Sequence, residues 1–144
     1  MPCTATYDDA NLILRLYDMR REERLRQARA WFSANFKAKN GEDVNKLCPP
    51  GTEENASYRM VVTYWEMVAS FVASGVLNQE LFFQSGREIL FVWIRVSDLV
   101  PGMRAAHKDP SWLINMETVA KAYIEHWKKS APEAYDLFVT RVKG

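Results

Sequence analysis

Cysteine and histidine are scarce in this chain: Cys3, Cys48, His107 and His126 are the only representatives of either residue among 144. No Cys-x-x-Cys or His-Glu-x-x-His spacing occurs, so zinc sites of the usual kinds are not expected. The Glu-x-x-His pair of di-iron helical bundles is missing too, because Arg104 and Tyr123 stand three residues before the two histidines. The cysteines read as free thiols of a reducing compartment, Cys3 in a terminus and Cys48 in a loop. Cys48 with either histidine could form a nucleophile and base only across the fold, and a loop thiol without a partner is the simpler reading. Gly-x-Gly-x-x-Gly, a phosphate loop and a Gly-x-Ser-x-Gly elbow are all lacking. No catalytic residue, metal ligand or cofactor is therefore expected.

Excess charge is also lacking. Lysine and arginine number 19 against 18 acidic residues, so no broad field draws the chain to nucleic acid or to an anionic membrane. A local excess does exist, with Arg15, Arg20, Arg21, Arg24, Arg26 and Arg29 against Asp18, Glu22 and Glu23. The acids are interleaved at intrahelical pairing distance, which predicts a solvated helix face rather than a nucleic-acid surface. The first residues carry neither the basic nor the apolar region of a signal peptide, so a cytoplasmic location is the expectation. The longest apolar stretch, Met60 to Leu77, contains Thr63, Glu66, Ser70 and Ser74 and reads as a buried helix rather than a membrane span. The Asn55-Ala-Ser57 sequon then has no secretory context.

Apolar residues are plentiful, at 48% of the chain, with aromatics at 12%. That supply, at this length, suits one domain spanning residues 1–144. The punctuation is helical. Thr6 with Asp9 caps a first helix running to about Phe36, whose stripe is Leu14, Tyr17, Leu25, Ala28 and Phe32, interrupted by Arg21. Asn40-Gly41, Pro49-Pro50 and Gly51 mark a long loop over about 37–52. A central helix follows from about Glu53 to Ser74 and stops at Gly75. Tyr58, Val61, Trp65, Val68 and Val72 line one side, Met60, Tyr64, Met67 and Phe71 another. Only Arg59, Thr63, Glu66, Ser70 and Ser74 form a polar stripe.

Asn78 caps a short helix through Phe83, and Ser85 with Glu88 forms a capping box opening a helix over about Arg87 to Leu99. The unbroken run Ile89 to Ile94 also suits a buried strand, but the caps around it favour helix. Pro101-Gly102 marks a break or kink before a turn over Met103 to Lys108. Asp109-Pro110 signals a long helix to about Lys129, with Leu113, Met116, Ala120, Tyr123 and Trp127 inward. Ser130 with Glu133 opens the last helix. The expected fold is all-α, an antiparallel bundle of five to six helices in a single domain.

Two passages carry a resemblance: Leu16-Tyr-Asp-Met-Arg-Arg-Glu-Glu-Arg24 leading to Ala28-Arg-Ala-Trp-Phe32, and Thr63-Tyr-Trp-Glu-Met67 leading to Ser74-Gly-Val-Leu77. With them the chain resembles, from about Leu12 to Trp127, a family of short, uncharacterised bacterial proteins of helical fold. The resemblance implies a bacterial source and carries no site residues with it.

One constellation stands out from the pattern. Glu66 lies on the nearly all-apolar central helix and Arg95 ends the Ile89 to Ile94 run. Either charge is costly to bury alone, so they are expected to meet, or each to find another partner; the competing reading is a polar stripe facing solvent. The leading functional expectation is a non-enzymatic domain acting through protein contacts or self-association, with some of Trp31, Trp65, Trp93, Trp112 and Trp127 left over for an interface. The second is a small-molecule sensor or carrier with an apolar pocket between helices, anchored by Glu66 or Arg95.

Overall fold

The computed structural model describes residues 4–144, so Cys3 lies outside the described residues. The chain is all helical. α1 spans Tyr7–Arg20, α2 Glu23–Asn35, α3 Gly41–Leu47, α4 Glu53–Ala73 and α5 Gln79–Phe83. α6 spans Glu88–Val96, and a single 3₁₀ turn at Ser97–Leu99 leads into α7, Val100–His107. α8, Ile114–Ser130, and α9, Pro132–Lys143, complete the bundle.

α4 forms the axis. Its side formed by Tyr58, Val61, Trp65, Val68 and Val72 is buried throughout, and the helix packs against α2 and against α8. α6 closes the bundle on α4, α8 and α9. One buried cluster runs from Leu16 of α1 to Trp127 of α8, with Phe138 of α9 packed on it. The strand reading of Ile89 to Ile94 is excluded, because that run is the body of α6.

Several boundaries differ from expectation, each for a local reason. The first helix is two helices. Arg21 closes α1, and Glu22 turns its carboxylate onto the amides of Arg24 and Leu25, both at 3.0 Å, to cap α2. That break changes the buried register, so Leu16 is buried while Leu14 and Tyr17 are 63% and 45% exposed. The long loop folds α3, because Asn40 accepts a hydrogen bond from Asp43 and starts a helix with Gly41 in its first, tolerant position. Ser85 and Glu88 make no capping box; Arg87 precedes α6 without a side-chain cap. Pro101 sits in the first turn of α7 rather than breaking a helix, where its missing N–H costs nothing.

Asp109-Pro110 also opens no helix. Asp109 folds back on the Ser111 amide and hydroxyl, at 2.9 and 2.6 Å, and the chain turns through Leu113 at φ +56° before α8 begins. At the end of α8, Ser130 donates to the Trp127 carbonyl and Pro132 enters the first turn of α9, so the expected Ser130 and Glu133 box does not form.

The capping box at the start of the chain is present and has a second use. Asp9 accepts from the Thr6 amide at 2.7 Å and, through its other oxygen, from the Asn78 amide at 2.9 Å, tying α1 to the start of α5. These amides, Thr6 first, hold the Asp9 carboxyl below its ordinary value. A lowered folded-state pKa means that this stabilisation is complete above the ordinary carboxylate range and is lost as pH falls through the lowered value. Asp9→Asn is expected to lower the melting temperature at neutral pH and to flatten its decline in acid, as a pH series of thermal melts will register.

Candidate functional site

Glu66 and Arg95 do not pair with each other. Glu66 is half-buried and points from α4 to the start of α8, where it accepts from the Met116 amide at 2.7 Å, the Asn115 amide at 3.2 Å and the Asn115 side chain at 3.0 Å. Leu113, the residue at the cap position, has no side chain able to do this. Glu66 therefore serves as the N-cap of a helix 49 residues further on, its negative charge at the positive end of the helix dipole.

Arg95 does the opposite at two C-termini. Its guanidinium donates to the carbonyls of Phe36 at 2.8 Å, Ser33 at 3.2 Å and Phe32 at 3.4 Å, all in the last turn of α2 or its cap. It also donates to Val142 of α9 at 2.8 Å. Only 9% of Arg95 is exposed, and burial lowers its pKa. Carbonyls at helix C-termini are the natural acceptors for a buried cation, since they are otherwise unsatisfied and carry partial negative charge. Both residues found partners other than each other.

A cleft lies elsewhere, between α2, α6 and α9, and has a volume of about 470 Å³. Phe32, Val61, Phe91, Val92 and Phe138 supply its apolar surface, and Arg26, Arg29 and Arg87 its charge, with Glu88 as the one acid. Arg29 and Glu88 form a two-pronged pair, Nε to Oε2 at 2.8 Å and Nη2 to Oε1 at 2.6 Å. Glu88 also accepts from the Trp65 indole at 3.2 Å, and the pair raises the pKa of Arg29. Such a fork fixes both side chains as a wall.

The other two arginines are differently placed. Arg26 and Arg87 have no carboxylate within ion-pair reach among the described residues. Arg87 lies over the Trp127 ring at 3.9 Å from its centre, which orients the guanidinium without neutralising it. The cleft thus joins an apolar, largely aromatic surface to two exposed guanidiniums without a paired carboxylate among the described residues, of which Arg87 also meets the Tyr123 hydroxyl. Ser33 is the only hydroxyl in its lining.

Nothing in the spacing of residues pointed to this cleft. The arginines of the first two helices do not form a face paired with its own acids, because Glu22 caps α2. Arg24 reaches instead to Glu53 at 3.3 Å and Arg29 to Glu88, 59 residues away. The expected surplus of tryptophan at the surface is not found either: Trp65, Trp93 and Trp127 are buried, and Trp31 and Trp112 pack half-buried against the core. No group of three or more histidine, cysteine, aspartate or glutamate side chains able to hold a metal is gathered among the described residues. No helix there is long and apolar enough to cross a membrane.

No curated protein and no solved structure matches the chain. A match does exist at the level of families, over residues 5–132, wider than the stretch that carries the resemblance in the sequence. With most of its length inside that match, the chain belongs to the family described as a domain of unknown function, DUF4760.

Proposed function

We propose that this protein binds a small molecule with a substantial apolar body in the cleft between α2, α6 and α9, acting as a sensor or carrier rather than as an enzyme. The supporting observation is the cleft itself, whose volume of about 470 Å³ lies within the range of ligand pockets and whose aromatic surface is edged by a few polar groups. Its side chains offer shape and charge rather than a nucleophile with a base. Titration calorimetry with decanol and with decanoate tests the reading. Saturable binding of at least one of them, abolished by Ala30→Trp on the cleft wall, is expected; no binding of either overturns it.

A second reading, self-association with another copy of this chain, is supported by the outer face of α1. Tyr7 and Leu14 are 81% and 63% exposed and lie seven residues apart on one face. Light scattering over a concentration series should then show a dimer in the native protein and a monomer in Leu14→Ser; a native monomer throughout removes this reading. We infer a bacterial, reducing cytoplasmic setting, supported by the family resemblance and by the free, buried thiol of Cys48, whose pKa burial raises.

A further inference from the structure

Resting on the ligand-binding reading, we propose that the molecule held in the cleft is an organic monocarboxylate, its head group taken by Arg26 and Arg87 and its apolar body laid on Phe91, Val92 and Phe138. Three arginines line the cleft, and Glu88 accounts for only one of them, through the fork with Arg29. Arg26, from α2, and Arg87, at the cap of α6, are exposed and have no carboxylate within ion-pair reach among the described residues, Arg87 resting on the Trp127 ring beside the Tyr123 hydroxyl. A guanidinium is a planar set of donors that matches a carboxylate, and two of them close to an apolar wall hold it more strongly than water does.

Glu88 limits how much negative charge the cleft accepts. Its carboxylate stands in the same lining, so a second charge on the ligand head meets repulsion that a single charge spread between two arginines does not. Neutral heads fare worse for a different reason, since burying Arg26 and Arg87 beneath a ligand without giving them an acceptor strips their water for no return. The cleft is thereby selective for one charge on an apolar body.

Calorimetric titration of the full chain with decanoate, decanol and decyl phosphate at pH 8 tests this. Decanoate is expected to bind about tenfold or more tightly than decanol, the scale of one charge-assisted hydrogen-bonded contact, and more tightly than the phosphate. In the Arg26→Gln, Arg87→Gln double variant, decanoate should fall to the affinity of decanol while decanol is unchanged. Equal affinities for decanol and decanoate in the native protein, or a phosphate that binds best, overturn the monocarboxylate while leaving the ligand-binding reading intact. Binding of none of the three removes both. Circular dichroism of the double variant establishes that it is folded, and Lys in place of both arginines provides a second check, since it should restore part of the preference for the anion over the alcohol.

Discussion

Replacing Arg95 by Met should cost about 3–4 kcal/mol of folding stability, the scale seen when a buried charged group that satisfies several partners is removed. The apolar stem is kept in this variant, so the loss reports the guanidinium rather than packing. Four carbonyls, of Phe32, Ser33, Phe36 and Val142, lose a donor in the interior of the bundle. Lys at this position keeps the charge but offers a single point of donation instead of a fork, so it should recover less than half of the loss. Urea unfolding is the measurement, with a lowered midpoint and an unchanged slope as the expected result. A loss under about 1 kcal/mol would show that water replaces the guanidinium, contrary to its burial.

The same substitution bears on the cleft. Arg95 is a direct link from α6 to the end of α9, and α9 brings Phe138 to the cleft wall. Hydrogen exchange in α9 should therefore accelerate in Arg95→Met before the rest of the bundle loosens.

The second large effect is expected at Glu66. Glu66→Ala removes the acceptor shared by the amides of Asn115 and Met116 and by the Asn115 side chain, and should cost about 2 kcal/mol, the upper end for loss of a helix cap. Glu66→Gln keeps one carbonyl acceptor and loses the second acceptor oxygen together with the charge facing the helix dipole, so about 1 kcal/mol is expected. Thermal and urea unfolding of the pair give the ranking. If Gln proves as damaging as Ala, α8 requires the full carboxylate, with its charge and both acceptor oxygens, rather than a single carbonyl. If neither has an effect, the start of α8 is held by packing alone.

Local chemistry made much of this architecture legible. Thr6, Asn78 and the residues after Thr52 announce helix starts that are present, and Gly75 ends α4 at φ +84°, where a side chain would be strained. The inward stripes of α4 and α8 also stand where their periodicity puts them, since Val61, Trp65, Val68, Met116, Ala120 and Tyr123 are all buried. Where the reading failed, a polar side chain had a choice. Glu22, Asp109 and Ser130 each fit a longer or earlier helix on paper, and each turned instead to a neighbouring backbone group that ended or delayed it. Such competition between near-equal local hydrogen bonds is settled by which one the surrounding packing permits.

By itself, then, the sequence determined that this protein is a helical bundle built on an apolar α4, because burial of a 3.6-residue stripe is dictated by residues a few positions apart. Tertiary structure alone decided what its charges do. Glu66 reached the start of α8, Arg95 the ends of α2 and α9, and Glu88 took Arg29 while Arg26 and Arg87 were left at an aromatic cleft. Those partners lie tens of residues apart, and a hydrogen bond tolerates only a few tenths of an ångström. The crossing of packed helices sets such distances, and no spacing along the chain encodes them.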